Sequence, residues 1–189
     1  LNIVLGGPLI LLPVQILWMN LVTDGVTAVA LGLEPAEKEI MERPPRPPQA
    51  PILSRGGLLM IALVGGYMGL TTLGLFNYYL ATGRADAVAV AQTVAFTGLI
   101  LLEKMNVFNF RALQRPLSSI GFFTNPWLLV AWAATILLQV AVVYIPFFQR
   151  ILHTVPLGWW DWGVMLLIAL PVFLLAELVK CCLLYTSDA

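Results

Sequence analysis

The stretch LPVQILWMNLVTDGVTAVALGLEP, residues 12–35, is apolar for most of its length yet carries polar side chains at its centre. A helix needs about 20 apolar residues, rising about 1.5 Å each, to cross roughly 30 Å of hydrocarbon, and this stretch is long enough. Asn20, Thr23 and Asp24 occupy positions i, i+3 and i+4, which share one face of an α-helix. The pattern predicts a membrane-spanning helix with a polar face near its middle.

Four further stretches of similar length predict an all-α membrane protein, a bundle of five transmembrane helices. Over its 189 residues the chain is 60% hydrophobic and 11% charged, and its mean hydropathy of +0.90 lies well above that of soluble domains. We expect one membrane domain over residues 1–184 and an unrelated tail over residues 185–189. The predicted spans cover residues 8–33, 57–81, 88–110, 125–148 and 160–184.

The basic residues predict how the bundle is oriented. Arg84 and Arg150 fall in the loops after the second and fourth spans. Cytoplasmic loops are enriched in Lys and Arg, so the first and third loops and the C-terminus are predicted to be cytoplasmic, and the N-terminus outside or lumenal. The apolar spans indicate the lipid bilayer as partner, and the net charge of zero gives no sign of nucleic-acid binding. The other eight of the ten basic residues are Lys38, Arg43, Arg46, Arg55, Lys104, Arg111, Arg115 and Lys180.

Proline, tryptophan and glycine suggest roles for the loops and helix surfaces. Residues 34–56 hold six of the thirteen prolines, which predicts an extended, semi-rigid cytoplasmic strap. Tryptophans at the start of the fifth span suit the level of the lipid headgroups, and glycines on the second span are expected to let another helix approach closely. These residues are Trp159, Trp160 and Trp162, and Gly65, Gly66, Gly69 and Gly74.

Asp24 is the first candidate for chemistry. It lies ten residues before Glu34, or about 15 Å along a helix axis, which places it near the middle of the bilayer. An ionised carboxylate at that depth costs several kcal/mol unless something compensates it. Gly25 follows directly, and we expect it to loosen the helix so that carbonyls and side chains can face a cation. Two interpretations stay open for Asn20, Thr23 and Asp24: cation binding, or hydrogen bonding to adjacent helices.

Glu103 in the third span lies at a similar depth, with Asn106 on the same face at i+3. Carboxylate and neutral oxygens without cysteine or histidine indicate a hard-cation site, since His153 falls in an outer loop. Asn20, Thr23, Asp24 and Glu103 offer about six oxygens, whereas calcium takes six to eight. These residues are expected to form half of a metal site, with the remaining ligands supplied from elsewhere.

Two lysines lie close to carboxylates. Lys104 stands next to Glu103 and about 100° away around the helix, so it either snorkels towards the cytoplasm or pairs with Glu103. Glu177 and Lys180, at i and i+3 in the fifth span, are predicted to form a structural ion pair.

The sequence lacks the motifs of an enzyme active site. There is no phosphate-binding loop of the G-x-x-x-x-G-K-[ST] type and no Ser/His/Asp or Cys/His set, so no catalytic or cofactor-binding residue is assigned. The opening LNIVLGG lacks the basic start of a signal peptide, and we expect the chain to begin within a longer protein.

Several motifs together resemble the P-type calcium-transporting ATPases, nearest to the sarcoplasmic-reticulum type. PVQILWMNLVTDG (13–25), ALGLEP (30–35) and IMERPPRPP (40–48) resemble the sixth membrane helix and its following loop. LLEKMNVFN (101–109) resembles the eighth helix, FFTNPWLL (122–129) the start of the ninth and LPVFLLAELVK (170–180) the tenth. The resemblance covers residues 1–183, the C-terminal part of a ten-helix membrane domain.

The resemblance implies a function and a set of metal ligands. Asn20, Thr23 and Asp24 would be calcium ligands, with Asp24 bridging two ion positions and Glu103 contributing to one of them. The parent would be an ATP-driven pump that exports calcium from the cytoplasm with proton counter-transport, and ATP and magnesium would bind only to the parent's cytoplasmic domains. Those domains and the N-terminal helices of the same pump are the expected partners, and the fragment alone is expected to be inactive and of marginal stability.

Two alternatives remain at this point. The chain could be a stand-alone structural or regulatory helix bundle, in which the polar residues hold helices together. It could also belong to the same pump family and carry sodium, manganese or protons, because oxygen ligands by themselves do not select calcium.

Overall fold

The structure is a computed structural model, and it describes residues 2, 6–35, 55–83, 85–111, 117 and 121–187. Every regular element in these residues is helical. The first membrane helix joins α1 (Pro13–Trp18), a π-helix (Met19–Asp24) and α2 (Gly25–Leu31) end to end. The elements that follow are α3 (Arg55–Leu80), α4 (Ala87–Asn106), a 3-10 helix (Val107–Phe110), α5 (Pro126–Tyr144), α6 (Pro146–Leu152) and α7 (Trp159–Ser187).

Five helical stretches in the described residues are long and apolar enough to cross a membrane, which confirms the predicted fold class. The first begins at Pro13 rather than at residue 8. In a helix begun at residue 8, Pro13 would lie in the interior without an N–H for the helical hydrogen bond, whereas at the first helical position none is needed. Most of the predicted proline-rich strap, residues 36–54, lies outside the described residues. The stretches are Pro13–Leu31, Gly57–Leu80, Ala87–Phe110, Pro126–Tyr144 and Trp159–Leu178.

The fourth span ends earlier than predicted, at Tyr144. Ile145 adopts φ −87° and ψ 123°, because the ring of the following proline disfavours a helical conformation in the residue before it. A separate short helix, α6, then begins at Pro146. At the other end of the chain, α7 continues to Ser187, past the predicted start of the tail at residue 185.

Helix α4 is the centre of the bundle. In its most apolar stretch 67% of the residues are buried, against 11% in the span formed by α3 and 22% in that formed by α7. Phe76 of α3, Val94 of α4 and Met165 of α7 belong to the largest core cluster, in which α3 and α7 pack against α4. Lipid tails are as apolar as these side chains, so close van der Waals packing rather than exclusion of water stabilises the contact.

Small residues allow this packing, but they lie on a different helix from the predicted one. Ala91, Ala95 and Gly98 line the packed side of α4, and a Cβ added at Gly98 would lie 3.2 Å from Leu75 Cδ1. The prediction for the glycines of α3 was wrong within the described residues. A Cβ at any of them would meet no atom of another described helix within 4 Å. These are Gly65, Gly66, Gly69 and Gly74.

A latch of four side chains joins the ends of three membrane helices. Arg111, after α4, binds both carboxylate oxygens of Glu34, after α2, with Nη2 2.7 Å from Oε1. Its Nη1 also donates to the carbonyl of Phe122 at 2.9 Å, and its Nη2 donates to Thr124 Oγ1. Asn125 donates to Glu34 Oε2 at 2.7 Å, while its own Oδ1 accepts from the backbone of Leu128 and so caps α5.

The predicted pair of Glu177 and Lys180 is confirmed. Lys180 Nζ lies 3.0 Å from Glu177 Oε1 and also donates to the carbonyl of Asn109 at 3.1 Å. The other carboxylate oxygen of Glu177 accepts from the backbone nitrogen of Leu117 at 2.9 Å. The pair therefore connects α7 to the end of α4 and to the chain that follows it.

The latch should contribute strongly to stability. Arg111→Met leaves the Glu34 carboxylate, whose side chain is only 17% exposed, without its cation, and we expect a loss of about 3–5 kcal/mol in the free energy of unfolding. Denaturant unfolding in detergent of the longer parent protein, as wild type and variant, measures this loss. The matched control is Arg150→Met, because Arg150 is exposed on α6 and should cost no more than about 0.5 kcal/mol. Equal costs for the two variants would contradict the prediction.

Candidate functional site

The polar centre of the first span forms a π-helix, which is a wider turn with i to i+5 hydrogen bonds. Thr23 Oγ1 donates to the Met19 carbonyl at 2.9 Å, and Thr27 Oγ1 donates to the Thr23 carbonyl at 2.9 Å. Such back-bonding from threonine competes with the backbone ladder and loosens helices. The predicted loosening of this helix is therefore present, and it lies just before Gly25.

Gly25 itself is not the cause. Its φ of −56° and ψ of −47° are open to any residue, and an added Cβ would lie 3.7 Å from the nearest atom, the Asn20 carbonyl oxygen. The π-helix has already ended at Asp24 where the glycine begins α2. The wider turn therefore arises from the residues before the glycine, contrary to the role expected for it.

The predicted common face of Asn20, Thr23 and Asp24 is divided in the structure. Asn20 is exposed and the Asp24 side chain is 43% exposed, whereas Thr23 is fully buried. In a π-turn each residue rotates less than the 100° of an α-helix, so Asp24 stays on the side of Asn20 while Thr23 turns into the bundle. Asn20 is thus exposed, whereas Asp24 is only partly exposed and keeps contact with α4.

Lys104 points from α4 into this π-helix. Its side chain is 1% exposed, and its Nζ lies 2.9 Å from the Thr23 carbonyl, 3.1 Å from Thr27 Oγ1 and 3.3 Å from Asp24 Oδ1. Snorkelling towards the cytoplasm was the wrong interpretation, because the ammonium is buried. Lys104 does not form its ion pair with Glu103 either, but with Asp24. Neighbouring residues of a helix point about 100° apart, and this rotation turns Lys104 towards the first span.

Glu103 lies beside the same group. Its carboxyl is close enough to Asp24 and Lys104 to interact electrostatically with both. Its Oε2 is buried and has no hydrogen-bond partner among the described residues. Asn106, predicted to share its face, instead accepts a hydrogen bond from Asn109 at 2.9 Å. The structure therefore brings together Asp24, Glu103 and the buried Thr23 around the Lys104 ammonium.

Thr27 is the residue of this site that the sequence analysis missed. It accepts from Lys104 and donates to the Thr23 carbonyl, which links the two helices. A signal was available, because Thr27 follows Thr23 at i+4 and Asp24 at i+3, the spacings of neighbours on a helix surface. The backbone of Lys104 is fixed in turn by the Trp132 indole of α5, which donates to its carbonyl at 3.0 Å.

The oxygens of this arrangement are of the types that bind hard cations. Two carboxyls and neutral oxygens surround one point inside the membrane, and no cysteine or histidine joins them among the described contacts. Within the described residues there is no group of three or more His, Cys, Asp or Glu side chains that could hold a metal ion, so these oxygens alone do not make a complete metal site.

Comparison with known proteins identifies a family and several relatives. The model of the family described as "Cation transporting ATPase, C-terminus" matches residues 8–182. A calcium-transporting ATPase of Bacillus subtilis is 38% identical over 173 residues, which cover 91% of this chain and 19% of the relative. The endoplasmic reticulum-type calcium-transporting ATPase 2 of Arabidopsis thaliana is 28% identical, and the endoplasmic reticulum calcium ATPase srcA of Aspergillus fumigatus is 29% identical.

The chain spans about a fifth of the length of these relatives. The alignments with the plant and fungal proteins each cover 95% of this chain but only 22% of the relative. Almost the whole chain therefore corresponds to one region of much longer proteins.

Thr27 allows a direct test of the Lys104 contacts. Thr27→Val removes an acceptor from a buried ammonium, and we expect it to lower the free energy of unfolding by about 1–3 kcal/mol. Thr72→Val is the matched control, because the buried Thr72 hydroxyl has no hydrogen-bond partner in the described structure. Denaturant unfolding in detergent compares the two, and a cost for Thr27→Val no greater than that for Thr72→Val would contradict the assigned contact.

Proposed function

Because the chain belongs to the cation-transporting ATPases and forms the C-terminal membrane region of that family, we propose that it is the ion-translocation part of an ATP-driven calcium pump. The membership agrees with the resemblance predicted from the sequence. The relatives named above are calcium-transporting ATPases, which supports calcium as the transported ion. The shared region is the membrane part of the protein, where five stretches can cross the bilayer.

The observation that carries the proposal is the carboxyl pair at the π-helix. Asp24 and Glu103 lie close together within membrane spans, and Lys104 forms its ion pair with Asp24. An ionised Glu103 would therefore carry a negative charge that no ion pair among the described residues balances. A net negative charge inside hydrocarbon is costly unless a cation compensates it. Single π-turns within α-helices are frequent at functional sites, because the wider turn changes the direction of side chains and carbonyls.

We assign Asn20, Thr23, Asp24 and Glu103 as ligands of the transported cation. Asn20 is exposed and the Asp24 side chain is 43% exposed, so further oxygen ligands can reach an ion bound to them. Those ligands would come from N-terminal helices of the same pump. Calcium takes six to eight oxygens, more than the residues of this chain provide.

The remaining steps of the proposed cycle are those that the family resemblance implies. ATP and magnesium act in cytoplasmic domains outside this chain, and phosphorylation there changes the side of the membrane to which the site opens. Calcium leaves the cytoplasm, and protons return on the carboxyls of Asp24 and Glu103. The first and third loops and the C-terminus are cytoplasmic in this proposal, with the N-terminus outside or lumenal.

A second function, a structural helix bundle, has one observation in its favour. Lys104 links α4 to the first span through Asp24, Thr23 and Thr27, as a purely structural contact would. In that case Asp24→Asn lowers the stability of the bundle equally with and without calcium. If Asp24 is a ligand, calcium raises the melting temperature of the full-length wild type, and Asp24→Asn removes that increase.

The decisive experiment uses the full-length pump that contains this chain. Asp24→Asn should abolish calcium-dependent phosphorylation by ATP, because a neutral amide cannot balance the charge of a bound divalent cation. The control is Asp161→Asn, since Asp161 bonds to Tyr79 and to the backbone of Gly158, away from the site. Normal calcium-dependent phosphorylation of Asp24→Asn would overturn the assignment. If sodium or manganese activates phosphorylation in place of calcium, the protein is still an ion pump, but the transported ion is not calcium.

A further inference from the structure

Lys104 places an ammonium group inside the candidate cation site. Its ammonium has a carbonyl, a hydroxyl and a carboxylate oxygen within 3.3 Å, all from the first span. Carbonyl, hydroxyl and carboxylate oxygens are the same ligand types that hold a free hard cation. The distances of 2.9–3.3 Å suit an ammonium donating hydrogen bonds, and they exceed the roughly 2.3–2.6 Å of calcium ligands.

The surroundings of Lys104 keep this charge in place. The side chain is 1% exposed, so the ammonium does not reach water from its present position. The backbone of Lys104 is bonded by the Trp132 indole, and α4 is the most buried of the five spans. Moving the ammonium away would leave the Asp24 carboxylate and the Thr23 carbonyl without this partner inside the membrane, which is costly.

The position of the ammonium limits what else the site can hold. The ammonium bonds to one of the two Asp24 oxygens and to the Thr23 carbonyl. The other Asp24 oxygen, Glu103 and the side chains of Asn20 and Thr23 are left for a transported ion. Two divalent cations together with Lys104 would place five positive charges beside two carboxylates of this chain. Like charges at such distances repel strongly in a medium of low dielectric constant.

We propose that Lys104 is a tethered cation that fills one cation position of the translocation site, so that the pump binds one calcium ion per molecule there instead of two. The ammonium also stays beside Asp24 when the transported ion has left, and partly balances the empty site. This inference rests on the proposed function, because it concerns the same site. Lys104 is thereby a residue that determines stoichiometry and affinity without touching the ion.

The test measures equilibrium binding of radioactive calcium to the full-length pump, per phosphorylatable molecule. The wild type should bind one ion. Lys104→Gln keeps hydrogen-bond donors but removes the charge, so it should lower the calcium Kd by about tenfold or more, or admit a second ion. Lys104→Arg keeps the charge and should keep the wild-type stoichiometry. Lys180→Gln is the matched control, because Lys180 is equally buried and ion-paired but lies on α7 beside Glu177, and it should leave calcium binding unchanged.

Three results would overturn the inference. The first is the binding of two calcium ions by the wild type. The second is a folded Lys104→Gln variant that binds one ion with unchanged or weaker affinity. The third is the binding of a second ion by Lys104→Arg. If Lys104→Gln does not fold, the wild-type stoichiometry and Lys104→Arg decide the matter. The Asp24→Asn variant separates a failure of this inference from a failure of the proposed function. If Asp24→Asn binds calcium as the wild type does, the assignment of the site itself is wrong. If Asp24→Asn loses calcium binding and the wild type binds two ions, only the role of Lys104 is wrong.

Discussion

A charged group inside hydrocarbon needs a counter-charge within a few ångströms, and the positions of the polar side chains in this bundle follow from that requirement. Lys104 meets Asp24 across the interface between α4 and the first span, and Lys180 meets Glu177 along α7. Arg111 meets Glu34 where two membrane helices end. Each pair also reaches backbone carbonyls or amides, so the charges fix the directions of helices that apolar packing alone would hold only loosely.

The number and approximate limits of the spans could be predicted because they depend on one quantity, the length of apolar sequence relative to the thickness of the bilayer. The depth of Asp24 and Glu103 followed from the same counting. The pairing of Glu177 with Lys180 was predictable as well, since both lie on one helix at a fixed spacing. The early end of the fourth span needed only one more local rule, that the residue before Pro146 avoids the helical conformation.

Contacts between helices could not be predicted in this way. Whether the Lys104 ammonium contacts water, Glu103 or Asp24 depends on how α4 is rotated about its axis relative to the first span. No local sequence pattern specifies that rotation. The division of Asn20 and Thr23 onto different sides depends on a π-turn, whereas the spacing argument assumes an α-helix. The glycines of α3 have the spacing of a packing surface, but no described helix approaches them closely.

The latch also has a consequence for the biosynthesis of the protein. Glu34 and Asn125 are 91 positions apart, and Arg111 lies between them, so the latch cannot close until the ribosome has completed the start of α5. Until then the first membrane helix has a carboxylate at its end without the partners that later fix it. Chains fold from the N-terminus as they are made, and early segments with unmet partners are the ones most exposed to misassembly. Because the helices enter the bilayer in sequence order, the end of the first membrane helix is fixed only after the fourth has been made.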